Sequence, residues 1–441
     1  MTDAGAARLL LTGGVVVTLN ARREILAPGA VIIEGPRIAY AGPAGRAPVR
    51  DDDDRIDCRS HLVMPGLVNA HTHAAMGMFR GLAEDRPRDE WARTMYALPY
   101  LDRLRPDEYR HGAFLGALEM LSNGITATAD RGSFMEFSAD GLDAAGIRAV
   151  VSHTLFDVDR PLELDRALAL VNRWGTDPES RVHCGLGPHA PDTCSDALLR
   201  RVRALAGETG ARVFVHCAQS DREIAALRGR GHRGAVRCLW DAGLLGADVV
   251  AAHCVYVDDE EIQLLADTGT WVAHCPASNA KIEGRAAPVA SMLRAGVGVA
   301  LGTDWAPSNN GMDLFDEMKT AVLLGKVRSD DAAALPAGRL LEMATVDGAR
   351  ALGIDAHAGS LEAGKRADVI VVALDALRLE PLHDPAAALA YTVKGQDVRH
   401  VWVDGRWLIR DRRPTHVDVD ALRAETERVW RRLRGSFRGR A

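Results

Sequence analysis

The chain lacks the features that mark secreted, membrane-spanning and nucleic-acid-binding proteins. Its seven cysteines among 441 residues are an odd number without a Cys-x-x-Cys pair, which argues against a disulfide framework or a zinc knuckle. No apolar stretch reaches membrane-spanning length, and residues 1–8 lack the charged and apolar blocks of a secretory signal. The net charge is only −6, and no basic stripe alternates with aromatic residues. We therefore expect a cytoplasmic protein with reduced thiols that binds neither membranes nor nucleic acid.

The local patterns predict an α/β fold built around a closed barrel. Short β-rich runs alternate with helical stretches, such as residues 107–123 and 258–268, which end at Gly124 and Gly269. The eight runs are LVMPGLV from Leu62, ITATA from Ile125, RAVVS from Arg148, VHCGLG from Val182, RVFV from Arg212, DVVAA from Asp248, WVA from Trp271 and VGVAL from Val297. Such alternation favours parallel strands, and eight units suit a (β/α)8 barrel whose active site lies at the carboxyl ends of the strands.

The two ends of the chain predict a second, smaller unit. The segments LLLTGGVVVTLN and GAVIIEGPRIAYAG near the start, and ADVIVVAL and VRHVWVDGRWLIRD near the end, have the pattern of strands joined by tight turns. We expect residues 1–60 and 358–441 to form one β-sandwich beside a barrel of residues 61–357. The arginine-rich stretch 421–440 is interpreted as a surface or packing helix.

Histidines and one aspartate follow several of the predicted strands. His71 and His73 end the first run, and residues i and i+2 of a strand share a face. His216 ends the fifth run, His253 the sixth and Asp304 the eighth, so these side chains converge on one mouth of the barrel. Imidazoles with one carboxylate form an open metal site that activates water, which predicts a hydrolase.

Two further patterns limit the metal chemistry. The fourth run, VHCGLG, contains no lysine that could bridge two ions, so one metal ion is expected. Cys217 and Cys254 directly follow proposed ligands, but neighbouring residues of a strand face opposite ways. We therefore expect both thiols to pack between barrel and helices instead of binding metal.

The ordered motifs of the chain resemble those of the amidohydrolase superfamily. The matching segments are PGLVNAHTH, GLGPHAPDTCS, VVAAHCVYVDDEEI, VAHCPASNAK, VALGTDWAPSNN and PLHDPAAALAY. They are similar to the branch that contains cytosine and guanine deaminases, methylthioadenosine or S-adenosylhomocysteine deaminases, and s-triazine hydrolases such as atrazine chlorohydrolases. The resemblance implies one divalent ion, zinc or alternatively iron, and assembly into homo-oligomers.

The same resemblance implies roles for individual residues. His71, His73, His216 and Asp304 would hold the metal, with Asp304 also catalytic. His253 would contact the bound water or the leaving region of the substrate, and His189 would contact the substrate. The expected activity is removal of an amino group from a nitrogen heterocycle.

One position departs from the pattern of these deaminases. They carry His-x-x-Glu after the fifth strand, whereas this chain has His216-Cys217-Ala218-Gln219. An amide has no titratable proton near neutral pH, so Gln219 can orient groups but cannot shuttle a proton. Three explanations for Gln219 remain open. In the first, Asp304 and His253 transfer the proton in its place. In the second, the leaving group, such as chloride, departs without protonation. In the third, the site binds its ligand without turnover. Glu223, one helical turn further, is expected to face solvent or form a surface pair.

The remaining expectations concern the substrate. Trp91 and Trp305 can form flat walls for a heteroaromatic ring, with core packing as the alternative. Ser308 and Asn309, just past Asp304, are predicted to bond ring substituents, although turn formation explains them equally well. The ribose-binding glutamate of nucleoside-deaminating relatives has no counterpart after Pro99, where Tyr100 follows. Taken together, the motifs favour an aminohydrolase. The alternatives are a hydrolytic dehalogenase or alkylaminohydrolase on triazine-like rings, and a non-catalytic binding or scaffold protein.

Overall fold

The computed structural model describes residues 8–97 and 104–435. The strands are β1 (Arg8–Thr12), β2 (Val15–Val17), β3 (Ile25–Leu26), β4 (Gly29–Glu34), β5 (Arg37–Pro43), β6 (Asp54–Asp57), β7 (His61–Pro65), β8 (Leu67–Thr72), β9 (Ile125–Gly132), β10 (Arg148–Leu155), β11 (Val182–Cys184), β12 (Gly187–Pro188), β13 (Val213–Cys217), β14 (Val249–His253), β15 (Trp271–His274), β16 (Val299–Leu301), β17 (Val369–Ala373), β18 (Val398–Val403), β19 (Arg406–Arg410) and β20 (Arg413–Pro414).

The helices lie mostly between the strands of the middle region. They are α1 (Arg88–Ala97), α2 (Pro106–Ser122), α3 (Met135–Ala145), α4 (Leu164–Trp174), α5 (Asp196–Thr209), α6 (Asp221–Gly229), α7 (Ala235–Asp241), α8 (Asp259–Thr268), α9 (Pro276–Glu283), α10 (Val289–Arg294), α11 (Ala306–Asn309), α12 (Leu314–Ser329), α13 (Ala337–Met343), α14 (Val346–Leu352), α15 (Pro385–Tyr391) and α16 (Val419–Gly435). None in the described part of the chain is long and apolar enough to cross a membrane.

Helix boundaries follow from local capping chemistry. Asp258 accepts the backbone N–H of Glu261 at the start of α8, and Gly269 ends that helix in the left-handed conformation at φ 69°. Ser195 caps α5 in the same way, and Ser220 caps α6. The helix that the sequence predicts over 258–268 is therefore confirmed.

The central strands form the predicted parallel barrel. Strands β8 to β11 make one parallel half, and β13 to β16 make the other. Single bridges between Thr72 and Asp304 and between Leu186 and Val213 close the two halves on each other. The inside of the barrel carries many small side chains, including Ala70, Ala127, Ala252, Ala273 and Ala300. The expectation of a (β/α)8 barrel is confirmed.

Strands from both ends of the chain share one sheet of a β-sandwich. A seven-stranded sheet has the order β20-β19-β18-β17-β7-β2-β3, and β5-β4-β1-β6 form a second sheet. Buried residues of both sheets, among them Leu11, Val31, Val63, Val371 and Trp402, pack into one core. The pairing of β7 with β17 joins strands from the two ends of the chain into one unit, as expected.

The boundary between the two units differs from the expected one. The sequence assigns LVMPGLV to the barrel, but β7 (His61–Pro65) pairs with β17 in the sandwich, and the first barrel strand starts at Leu67. The residue between them is Gly66, where an added Cβ would lie 2.0 Å from Oγ1 of Thr126. Only glycine lets the backbone approach that closely, so one apolar run serves two sheets.

Candidate metal centre

Five predicted side chains meet at the carboxyl ends of the barrel strands. The ring centroid of His71 lies 5.1 Å from that of His73, 4.9 Å from that of His216 and 5.4 Å from that of His253. Nε2 of His71 and Nε2 of His73 each lie 3.4 Å from Oδ1 of Asp304. The possible ligand atoms of His71, His73 and Asp304 lie within 4.8 Å of one another, and so do those of His71, His216 and His253.

The chemistry of these side chains fits a divalent metal ion. Nε2 of His71 and Nε2 of His253 are buried without a hydrogen-bond partner, a state that proteins rarely leave uncompensated. Burial lowers the pKa of His73 to about 3 and that of His253 to about 4, so both rings are neutral at pH 7. Neutral imidazoles with one carboxylate are a donor set for zinc or iron.

The two oxygens of Asp304 have different tasks. Oδ1 faces His71 and His73, whereas Oδ2 accepts hydrogen bonds from Oγ of Ser278 at 2.6 Å and Oγ of Ser308 at 3.0 Å. Burial opposes ionisation of Asp304, but the close approach of His71 and the neighbouring histidines hold its pKa well below the usual range. The serines therefore orient a carboxylate whose other oxygen remains available to a metal.

Ser308 and Asn309 are engaged by the scaffold of the site. Besides its bond to Asp304, the Ser308 hydroxyl lies 3.0 Å from the carbonyl oxygen of Trp305. Nδ2 of Asn309 donates to the carbonyl of Thr303 at 2.7 Å and to Glu317 at 2.6 Å. The sequence predicts substrate contacts for both residues, whereas their polar atoms bond to neighbouring residues because α11 turns them back towards the barrel.

The strand ends that carry the site are held in unusual backbone conformations. His253 has φ 79°, Asp304 has φ 58° and Ala218 has φ 51°, a region that non-glycine residues rarely adopt. The carbonyl of Ala218 accepts the N–H groups of Val255 and Tyr256, which joins the ends of β13 and β14. Such strain concentrates at functional sites, where the surrounding bonds enforce it.

Glu223 is buried, so the expectation that it faces solvent is wrong. Its carboxylate accepts the backbone N–H groups of Ala218 and Gln219, each at 2.8 Å, and burial raises its pKa to about 8. Ser220 caps α6, which places Glu223 in the first turn and facing the strand end. The Ser-x-x-Glu spacing of a capping box was the signal for this placement. Both carboxylate oxygens accept backbone hydrogen bonds. Glu223 therefore does not replace the glutamate that the related deaminases carry at the position of Gln219.

Gln219 itself is half-buried just beyond β13. Its backbone N–H is bound by Glu223, while its side-chain amide makes no hydrogen bond within residues 8–97 and 104–435. The amide is therefore free to bond a substrate or water.

Aromatic residues and His189 lie beside the histidine cluster. The Trp305 ring centroid is 6.0 Å from that of His73 and 5.4 Å from that of Trp91, with the two indoles edge to face. The His189 ring is 4.9 Å from that of His216, and its Nδ1 lies 2.8 Å from Oγ1 of Thr193. Trp305 and His189 therefore lie next to the candidate metal ligands His73 and His216, and Trp91 lies behind Trp305. Pro99 and Tyr100 lie outside the described residues.

Several supporting residues were not identified from the sequence. Oδ1 of Asn279 lies 2.9 Å from Nδ1 of His253, and both Asn279 and Ser278 belong to α9. Arg131 is buried and donates to the carbonyls of Gly187 and Pro188, which fixes the segment before His189. The segment VAHCPASNAK contains the α9 residues, but their partners come from other strands and no local pattern identifies them.

The cysteines behave as packing residues. Cys217 and Cys254 are fully buried in the main apolar cluster, and all seven cysteines are free. The expectation that these thiols pack between barrel and helices is confirmed.

A second group of possible ligands shares no residue with the histidine cluster. Asp196, His232 and Cys238 bring their ligand atoms within 4.8 Å of one another. However, Nη2 of Arg230 donates to Oδ1 of Asp196 at 2.8 Å, and burial raises the pKa of Cys238 to about 12. A guanidinium on the carboxylate and a protonated thiol make this a poor cation site.

Comparison with known proteins gives matches over most of the chain. The model of the amidohydrolase family matches residues 62–408. A 5-methylthioadenosine/S-adenosylhomocysteine deaminase of Haloarcula marismortui is 40% identical over 424 residues, covering 94% of this chain and 96% of that protein. An adenosine deaminase from Xanthomonas campestris, solved with bound zinc, has a TM-score of 0.92 at 33% identity and covers 97% of this chain and 98% of its own. Atrazine chlorohydrolase from Arthrobacter aurescens TC1, complexed with zinc, has a TM-score of 0.88 at 26% identity, covering 96% and 99%.

Proposed function

The chain belongs to the amidohydrolase family, and on that premise we propose that it is a deaminase that hydrolyses an exocyclic amino group from an adenosine-type heterocycle. Enzymes of this kind are metal-dependent hydrolases. The proposal identifies zinc as the ion and His71, His73, His216 and Asp304 as its ligands.

One observation carries the proposal. Buried, neutral histidines gather at the mouth of the barrel, where Nε2 of His71 and Nε2 of His73 face the Asp304 carboxylate. Nε2 of His71 and Nε2 of His253 have no hydrogen-bond partner. A divalent ion held by this set supplies the Lewis acidity that makes water a nucleophile near neutral pH. The zinc in the adenosine deaminase of Xanthomonas campestris supports this choice of ion.

Asp304 and His253 are assigned the proton transfers. His253 donates from Nδ1 to Asn279, so its Nε2 carries no proton and faces the site as an acceptor. This nitrogen can take a proton from the attacking water and return it to the departing nitrogen. Asp304 keeps Oδ1 turned to the site while Ser278 and Ser308 hold Oδ2. Gln219 orients the substrate or the attacking water through its amide, without exchanging a proton.

The substrate is proposed to be a flat, electron-poor ring that carries an amino group. Trp91 and Trp305 supply apolar surfaces beside His73, and His189 supplies a ring nitrogen next to His216. The deaminase of Haloarcula marismortui, named for methylthioadenosine and S-adenosylhomocysteine, supports a purine nucleoside as the first substrate to test.

Gln219 favours one alternative activity. Chloride leaves a triazine-like ring without protonation, so a site that lacks the usual glutamate would suffice for a hydrolytic dehalogenase. The likeness to atrazine chlorohydrolase supports this second candidate, and an alkylamine is a further leaving group to test.

A substrate panel with metal analysis on the same sample tests these proposals. Purine nucleosides, pterins, pyrimidines and chloro- or alkylamino-triazines are incubated with the zinc-loaded protein, and ammonia, chloride and alkylamine are measured separately. Ammonia release from purines supports the deaminase, and chloride release without ammonia supports the dehalogenase. Stoichiometric metal without any turnover would favour a binding or scaffold protein and overturn the proposal. The expected cytoplasmic location and homo-oligomeric assembly stay predictions.

A further inference from the structure

Glu317 is a buried carboxylate that has no assigned task in the site. It lies in the first turn of α12, is 1% exposed, and takes part in no ion pair among the residues that the structure describes. A buried carboxylate without a cationic partner is costly, so its hydrogen bonds must compensate. The partners of these hydrogen bonds therefore indicate the role of Glu317.

The carboxylate joins two short helices behind the metal centre. Oε2 of Glu317 accepts the backbone N–H of Ala277 at 3.2 Å, in the first turn of α9. Oε1 accepts Nδ2 of Asn309 at 2.6 Å, at the end of α11. Cys275, the residue before α9, offers no side-chain cap, so Glu317 supplies an acceptor that the helix lacks.

These two helices carry the side chains that orient the predicted catalytic groups. From α9, Ser278 bonds Oδ2 of Asp304 and Asn279 bonds Nδ1 of His253. From α11, Ser308 bonds the same Asp304 oxygen. Asn309 also donates to the carbonyl of Thr303, the residue before Asp304.

We propose that Glu317 is a positioning residue that fixes Asp304 and His253 through α9 and α11. This inference rests on the proposed metal centre. Its carboxylate does not touch the ligands; it holds the helices whose side chains do. Replacing one carboxylate oxygen with an amide NH2 group would set a donor against the N–H of Ala277 or of Asn309, and one helix would move away. Partners that orient metal ligands typically change metal affinity by about 10- to 100-fold when mutated.

The test compares Glu317→Gln with a matched control, Glu261→Gln. Glu261 is also a buried glutamate that accepts backbone N–H groups of another helix, those of Val236 and Arg237 in α7. The full chain is stripped of metal and loaded with Co²⁺, and affinity is measured by competition with a chelator alongside the visible d–d spectrum. Glu317→Gln should bind Co²⁺ about 10- to 100-fold more weakly with altered bands. Glu261→Gln should keep the wild-type affinity and spectrum while losing similar thermal stability.

The outcomes separate this inference from the proposed function, because no substrate is involved. Wild-type affinity and spectrum in Glu317→Gln would overturn the positioning role and leave the metal centre intact. A wild-type protein that takes up no Co²⁺ would overturn the metal centre and this inference with it. If Glu317→Gln does not fold, Asn309→Ala removes one of the two Glu317 bonds together with the bond from Asn309 to the Thr303 carbonyl, and it should weaken Co²⁺ binding in the same direction. An unchanged Co²⁺ affinity and spectrum in Asn309→Ala would then overturn the inference.

Discussion

Nδ1 of His253 lies 2.9 Å from Oδ1 of Asn279, and solvent reaches neither side chain. An amide oxygen only accepts hydrogen bonds, so the neutral ring donates from Nδ1 and carries no proton on Nε2. Nε2 is the atom that lies without a partner among the possible metal ligands. Asn279 therefore sets the tautomer that turns a basic nitrogen towards the histidine cluster.

Asn279→Ala should lower kcat while the protein keeps its metal. Without the amide oxygen, the ring of His253 can rotate or take the other tautomer, and loss of such a partner costs about 10- to 100-fold in activity. Kinetics with metal analysis on the same preparation check this. Asn123→Ala, which removes a bond to the carbonyl of Met312 outside the site, is the control and should affect stability alone. A wild-type kcat in Asn279→Ala would refute the assigned role.

His216→Ala and Asp304→Asn should each remove bound metal and activity together. Each change removes one of the four proposed donors, so the three that remain would hold the ion much more weakly. Metal content by mass spectrometry and turnover are measured in parallel. His183→Ala is the matched control, since His183 is buried in β11 and its Nδ1 lies 3.3 Å from the carbonyl oxygen of Ser180. A metal-replete, active Asp304→Asn would contradict the ligand assignment.

Gln219→Glu should change ammonia release from the physiological substrate by less than about tenfold. If Asp304 and His253 already carry the proton, a new carboxylate adds little of the 10²- to 10⁴-fold that general acid–base catalysis typically contributes. Gln219→Ala should raise KM, because the orienting amide is lost. Steady-state kinetics on amino- and chloro-substituted rings check both variants. A gain of about 10²-fold or more on the physiological substrate would mean that proton transfer limits the natural enzyme.

The convergence of the candidate ligands could be predicted because it depends on simple periodicity. Each ligand follows a short apolar run, and parallel strands of a closed barrel must bring their carboxyl ends together. His71 and His73 needed only the two-residue repeat of a strand to share a face. The alternation of strands and helices was therefore enough to predict both the barrel and the place where these side chains meet.

Other features depend on contacts that no local pattern encodes. The start of the barrel was misplaced because Gly66 divides one apolar run between two sheets. Glu223 is an exception, because its three-residue spacing from Ser220 is a local signal for its place in the first turn of α6. Glu317 and Asn279 come from helices far apart in the chain, and only the folded structure brings them behind Asp304 and His253.

The unfolding free energy of Glu223→Gln should fall less than that of the wild type as the pH rises. Folding raises the pKa of Glu223 from 4.5 to about 8, so the folded state holds a proton that the unfolded state releases above pH 4.5. The contribution of this group is therefore fully present below pH 4.5 and is lost as the pH rises towards 8, by about 1.4 kcal/mol for each pH unit between those two values. The buried histidines act in the opposite sense below pH 6.5, because their pKa values are lowered.

The measurement is the difference in unfolding free energy between wild type and Glu223→Gln, taken by urea denaturation at pH 5, 6, 7 and 8. The histidine contributions cancel in that difference. The variant should lose most relative to wild type at pH 5. At every pH its amide NH2 group also faces one of the two backbone N–H groups that Glu223 accepts. A difference that does not vary with pH would show that Glu223 is ionised in the folded protein.

Arg148→Met should destabilise the protein by about 3–5 kcal/mol, because it removes the cation from a buried ion pair between the barrel and the sandwich. Nε of Arg148, at the start of β10, lies 2.9 Å from Oδ2 of Asp368, and its Nη2 lies 2.6 Å from Oδ1 of Asp404. Asp368 is 3% exposed and would keep an uncompensated charge. Urea denaturation measures the loss. Arg201→Met breaks an exposed pair with Glu208 and should cost no more than about 1 kcal/mol. Metal content should stay at the wild-type level, because the ion pair lies at the amino-terminal end of the barrel strand. A comparable loss of unfolding free energy in both variants would contradict the proposal that Arg148 stabilises the contact between the two units.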